Sequence, residues 1–426
     1  MDESNEMMKW IKDLFPVNRS LTGRGVDFTL NYFKKINPEF SVINFKSGKK
    51  VFDWIIPKVW IINDAYLKHE SGKKYAEFKK NNLHLVGYSS AVNKVMPKNE
   101  LLLKIHTLKN QPSLIPYVTN YYKKDWGFCL SANDKNALPD GNYKAFIDSK
   151  FINGSLKVAE ARIKGKKKDE IFFSTYFCHP SMANDNLSGL VILNSIMKFL
   201  KKFKSLNYSY RFVMLPETIG SIAYLSKKHL TLKKNIICGF NLSCLGNNGE
   251  FSFVKTPHGN KLCDDVMEAS LINKKTKIFD FINRGSDERQ YCHPKIDLPV
   301  CNFSKKKFHE FPEYHTSADN LKFISKKGLD ESLQILKNIV SFFEIGAIPE
   351  NKIFCEPFFL KYNKSDSVSI KNNLNNSRKI SSDIISYSDG KQNIFKICKI
   401  IGKSLDQVFP DYSDLIKKKI LKTKFI

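Results

Sequence analysis

The sequence predicts an α/β fold: a mostly parallel sheet flanked by helices, interrupted by an all-β module and followed by a small helical domain. Three observations carry that prediction. Apolar strand-like runs alternate with amphipathic helical stretches over 131–350, the pattern of strands joined by crossover helices. A segment rich in aromatics, prolines and short alternating runs, 47–130, breaks that rhythm and reads as strands joined by turns. Past a polar stretch rich in Asn and Ser at 363–378, which reads as a linker, only short amphipathic segments remain.

Taken in order, Trp10, Ile11, Leu14 and Phe15 recur at helical spacing, and Val26, Leu30 and Phe33 do so again after the SLTGRG break. In the module, VFDWIIPKVWIIND, HLVGYSSAV and SLIPYVTNYY are expected to be strands. Its aromatics, Trp54, Trp60 and, at its exit, Trp126, fit the packing of a β-core better than a sugar-binding platform. EIFFSTYFC, YRFVMLP, NIICGFNLS and DLPVCNF are the runs expected to form the sheet, and between the first two Val191, Ile192, Ile196, Phe199 and Leu200 share one helix face, completing a βαβ unit. KISSDIISY, NIFKICKII, LDQVF and LIKKKIL close the chain. The expected division is therefore 1–46 with 131–350, an inserted module at 47–130, and a C-terminal domain at 363–426.

The 426 residues, 42% of them hydrophobic, suffice for about two or three cores. No run approaches the roughly 18 uncharged apolar residues that span a bilayer, and MDESNEMMKWIKDLF is acidic and amphipathic, unlike a secretory signal. A soluble cytoplasmic protein without membrane insertion is expected. The nine cysteines are scattered singly, without CxxC pairs, and are expected to be reduced and mostly buried. A net charge of +27 would attract polyanions, but the lysines are spread along the whole chain beside abundant Asn and Ile. A compositional bias accounts for that spread, and nucleic acid is not the expected partner.

The chemistry concentrates in four places. STYFCHPSMANDNLSGL runs an apolar strand into His179 and sets Asp185 at the mouth of a helix, where ligands of open α/β sheets bind. RFVMLPETIG ends the next strand at Glu217, and EFPEYHTSADNL carries His315 in a polar loop. Two imidazoles and a carboxylate suit a Zn²⁺ with three protein ligands, which makes His179, Asp185 and His315 the natural metal set. Glu217 then remains to activate a zinc-bound water and later protonate the leaving amine. Singly, each residue has an ordinary explanation: a hydrogen-bonded strand-end histidine, a helix cap, a first-turn carboxylate. Only together do they make a site.

DNLSG, PETIG, GSDERQY and EYHTSADN resemble segments of the M28-type zinc aminopeptidases. More specifically, NRSLTGRGV, VFDWIIPKVW, LHLVGYS, IPYVTNYYKKDWGFCLS, YRFVMLPETIGSIAYL and RGSDERQYCHPKIDLPV are similar to a bacterial branch, DUF4910 with an inserted DUF2172 module, over about residues 5–345. The likeness extends more weakly to a C-terminal winged-helix-like domain. It implies a three-layer, phosphorylase/hydrolase-like fold and a zinc-dependent hydrolase of an amide, either an N-terminal peptide bond or an aminoacyl or acylamino group, with a link to surface polysaccharide biosynthesis. Thr218 stands where the two-metal enzymes carry a second glutamate, and Ser243 where they carry a further aspartate, so one Zn²⁺ per chain is implied. Within GSDERQY, Arg289 is a candidate for a substrate carboxylate and Asp287 or Glu288 for an amino group, while Tyr314 is a candidate donor to the oxyanion. Cyclisation or acyl transfer to an internal amine is the alternative within enzymes. Outside them stands a zinc-stabilised regulatory protein using its basic C-terminal domain, for which a protein-contact role is preferred to nucleic-acid reading. The expected substrate is a small peptide or amino-sugar amide; self-association is left open.

Overall fold

The structure, a computed structural model, describes residues 2–362 and 376–426, so most of the expected linker at 363–378 lies outside the described residues. At its centre is an eight-stranded sheet. Its strands are β1 (Ser41–Lys46), β2 (Ser155–Ile163), β3 (Glu170–Tyr176), β4 (Ser209–Leu215), β5 (Ile236–Leu242), β6 (Phe251–Val254), β7 (Thr276–Phe279) and β8 (Val300–Lys305). Their spatial order is β1-β2-β4-β3-β5-β8-β6-β7. The four apolar runs singled out in the sequence are the contiguous parallel block β4-β3-β5-β8. Around it, β2 runs antiparallel to β1 and β4, and β6 antiparallel to β8. Every residue of β3 and β4 is buried, as parallel strands covered on both faces require.

Alternation along β3 divides two cores. Ile171 and Phe173 join Phe212 and Phe240 beneath α1 (Glu3–Leu14), α2 (Arg24–Ile36), α3 (Gly189–Leu200), α5 (Leu262–Leu271) and α6 (Lys326–Ile345). Phe172 and Tyr176 face the other way and join Val213, Leu215 and the apolar side of α4 (Ile219–Asn235). The result is helix, sheet, helix, with the second core continuing into the inserted module.

That module holds a four-stranded antiparallel sheet ordered Lys74–Tyr75, Val59–His69, Asn142–Ile152, Val92–Pro97. Its longest pairing uses Asn142–Ile152, so the β-rich unit runs past the expected boundary at 130. SLIPYVTNYY, expected as a strand, is instead a loop. Pro112 and Pro116 donate nothing to a ladder, and the backbone bonds outward: the Tyr117 amide to the His315 carbonyl at 2.9 Å and the Ser317 amide to the Ile115 carbonyl at 2.9 Å. HLVGYSSAV likewise packs Leu85, Val86 and Tyr88 inward and enters a strand only at its last residue, Val92.

The C-terminal part contains α7 (Asn376–Tyr387), α8 (Ile394–Ile401) and α9 (Leu405–Lys417), and Leu421–Lys424 pairs antiparallel with Ile348–Asn351. Ile384, Phe395 and Tyr412 share one core with Phe342 and Phe343 of α6. No helix among the described residues is long and apolar enough to cross a membrane.

Candidate active site

Past the end of β3 the chain brings His179 into the crevice beyond the sheet. Its carbonyl accepts from the buried Arg19 guanidinium at 2.8 Å, which also donates to the Leu14 carbonyl and so ties the N-terminal helix to the site. The following turn is held from outside. The Asp319 carboxylate accepts the Asn184 amide at 2.6 Å and the Asp185 amide at 2.9 Å. Asn186 donates to the Thr175 hydroxyl and the Leu242 carbonyl. The turn is thereby pinned to β3 and β5, and Asp185 has little freedom of position.

Tyr176 donates its hydroxyl to Asp185 Oδ1. Asp185 Oδ2 lies 3.0 Å from His315 Nε2, yet both atoms are buried and neither has a hydrogen-bond partner. One ligand atom from each of His179, Asp185 and His315 lies within 4.8 Å of the others. Buried polar atoms are normally satisfied, and these donors, two imidazole nitrogens and a carboxylate oxygen, are of the types Zn²⁺ takes. The residues fit such an ion. Burial, against the pull of Asp185, lowers His179 to about 4. Burial would raise Asp185, but His179, His315 and the Tyr176 hydroxyl outweigh it and hold it at about 2. A neutral imidazole and an ionised carboxylate are the forms a metal needs.

Glu217 follows Pro216 at the end of β4. Its Oε1 accepts from the Ser286 hydroxyl at 2.7 Å, and its Oε2 stands 3.9 Å from His179 Nε2. Burial, with Asp287 and Asp185 nearby, pushes its pKa well above the usual carboxylate range.

The turn at 285–289 departs from what was expected of it. Asp287 is fully buried and accepts the Thr218 amide and the Ser221 hydroxyl at the start of α4; burial raises it to about 6. Glu288, also fully buried, accepts the Gly285 and Ser286 amides and the Asn241 side chain. These bonds shape the turn and the helix start, and Asp287 Oδ2 is left buried without a hydrogen-bond partner. Arg289 donates to the Thr218 hydroxyl at 2.6 Å and keeps a buried Nε without a partner. Ser243, also buried, exchanges hydrogen bonds with Asn302.

Tyr314 stacks its ring on His315 at 3.9 Å and 14°. Tyr117, on the 111–122 loop, meets both imidazoles edge-on, His179 at 5.2 Å and His315 at 5.1 Å. Beside these residues is a cavity of about 310 Å³, walled by Trp54, Tyr117, Tyr121 and Tyr122 opposite His179, Glu217, Thr218 and His315. Trp60 is core, stacked on Tyr88, as expected of the module's aromatics. Trp54 is not: 39% exposed, it lines the cavity. Tyr117, Tyr121 and Asp319 were not singled out from the sequence. The density of aromatics was a signal for the first two; Asp319 lies in EYHTSADN, four residues past His315, but acts on a turn far away in the chain.

A family model described as a domain of unknown function, DUF4910, matches residues 8–346. A Clostridium acetobutylicum protein, provisionally named for polysaccharide biosynthesis and an aminopeptidase-like domain, is 42% identical over 341 residues, covering 80% of this chain and 78% of that one. A crystal structure from Clostridium acetobutylicum, provisionally described as a peptidase, superposes with a TM-score of 0.89 at 37% identity, over 98% of this chain and 96% of that one. A zinc aminopeptidase from Bacillus subtilis superposes with a TM-score of 0.57 at 15% identity, over 80% and 94% of the two chains, a likeness of fold.

Proposed function

The chain belongs to the DUF4910 family and has an aminopeptidase-like fold, and from that premise we propose that it hydrolyses an amide bond with one Zn²⁺ held by His179, Asp185 and His315 and with Glu217 as general base. The observation that carries this reading is the cluster of His179, Asp185 and His315, whose ligand atoms lie within 4.8 Å of one another, beside a carboxylate 3.9 Å from His179. A Zn²⁺ there supplies Lewis acidity toward the scissile carbonyl and toward water. Glu217 takes a proton from the attacking water and passes it to the leaving nitrogen. The carbon–nitrogen bond breaks, the water oxygen stays on the acyl carbon, and the products are a carboxylate and an amine.

The other side chains hold this arrangement. Ser286 fixes Glu217 Oε1 and leaves Oε2 on the His179 side. Tyr314 keeps the His315 ring in plane, and its hydroxyl is the proposed donor to the developing oxyanion. The guanidinium on Thr218 supports a single dication, because a second beside it would be repelled. The relative's name couples polysaccharide biosynthesis to an aminopeptidase-like domain, which favours an aminoacyl or acylamino group on a sugar as substrate over a small peptide. The unit formed by α7–α9, read as winged-helix-like, is proposed as a protein-contact element.

Metal analysis of the purified protein is expected to give about one zinc per chain. Glu217→Gln should retain that zinc and lose turnover by about a thousandfold. Wild-type turnover in that variant would sink the assignment.

A further inference from the structure

Resting on the hydrolase reading, we propose that the cavity takes an N-acylated amino sugar with an uncharged acyl group, and does not take a free N-terminal amine. An ammonium group removed from water needs a carboxylate against it. Glu217 is the one acidic residue among those lining the cavity, and it is held by Ser286 and faces the imidazoles. Asp185 has one oxygen on Tyr176 and the other at His315. Asp287 and Glu288 are fully buried and neither lines the cavity: Glu288 accepts two backbone amides and Asn241, while Asp287 Oδ1 accepts the Thr218 amide and Ser221 and its buried Oδ2 has no hydrogen-bond partner. On the Thr218 side the Arg289 guanidinium donates to the hydroxyl and the Asp287 carboxylate accepts the amide, so the two opposite charges are fixed on one residue and neither lines the cavity, which leaves that wall suited to a neutral acyl group.

The facing wall suits a sugar ring. Trp54 and Tyr122 meet at 5.6 Å, 39% and 53% exposed, and give an apolar face with polar tips. A pyranose has that same division, with C–H faces and a rim of hydroxyls. Tyr121 and Thr119 add hydroxyls to the lining. At about 310 Å³ the cavity is at the small end for ligand sites, room for one ring and a short acyl group.

The test uses zinc-loaded wild-type protein, in which Glu217 keeps its carboxylate, beside the Glu217→Gln variant, and calorimetry with N-acetylglucosamine, glucosamine and leucinamide. N-acetylglucosamine is expected to bind at least about tenfold more tightly than either amine, a ratio of the size one unpaired charge produces. Trp54→Ala should weaken that binding by about tenfold and Trp54→Phe restore most of it, with zinc content unchanged. Tighter binding of leucinamide, or no binding of N-acetylglucosamine, overturns the proposal. Failure of the wild-type enzyme to cleave any amide while it selects the acylated sugar would instead count against the hydrolase reading.

Discussion

The floor and the roof of the cavity are built by different means. Strand ends make the floor: β3 and β4, wholly buried and laddered in parallel, deliver His179, Asp185 and Glu217. The roof is a loop, 111–122, with Trp54 beside it, fastened at a few points such as the Tyr117 amide on the His315 carbonyl and the Gly87 amide on the Val118 carbonyl. The candidate reactive groups stand where non-local pairing fixes the backbone, and the cavity's aromatics stand on a loop held at a few points.

Asp319→Ala attacks the floor and should have the largest effect. Two buried amides lose their acceptor, at a cost of about 1–3 kcal/mol each. Zinc affinity, measured by competition with a chelator, should fall by roughly 10–100-fold; wild-type affinity would mean that the Asp185 turn is held by other means. Tyr117→Ala attacks the roof. KM should rise by up to about tenfold while zinc affinity changes little, because the ring touches both imidazoles without ligating. A loss of zinc as large as in Asp319→Ala would erase the distinction between the two walls.

The smallest effect separates them by pH. At the other end of the floor strands, Arg211 of β4 is paired with Glu170 of β3 and Glu160 of β2. Burial raises Glu170, but its hydrogen bonds to Arg211 and Arg162 outweigh this and leave its pKa below the usual 4.5. A depressed carboxylate contributes stability that is complete above 4.5 and is lost as pH falls through its folded value. Thermal melts below that pH should show the floor loosening; stability that rises on acidification would contradict the pairing.

The floor was legible in the sequence because burial on both faces writes continuous apolar runs, and because His179 and Glu217 end two of them. β6 and β7, four residues each, were too short to stand out. The roof misled: SLIPYVTNYY has the alternation of a strand, but Pro116 within it, Pro112 just before it and its contacts with 315–317 make it a loop, and that partnership is non-local. Asp287 and Glu288 looked like ligand residues because a charged turn near a site has the same composition whether its carboxylates face substrate or their own backbone. Trp54 and Trp60 are six positions apart and equally aromatic; burial against the second sheet, which alternation alone did not locate, separates a cavity wall from a core residue.

The excursion that supplies the roof begins and ends at facing residues: Lys46 pairs with Ser155 in the β1–β2 ladder, and the Ser47 amide reaches the Gly154 carbonyl at 2.9 Å. Closing so long a detour costs little more than closing a short one, since loop entropy grows only with the logarithm of length. The ladder between β1 and β2 would survive a tight turn in its place. The module therefore joins the sheet covalently at a single seam, while the shared second core and the bonds from 115 and 117 to 315–317 make the two parts one folding unit, so that neither could be exchanged without refitting the other.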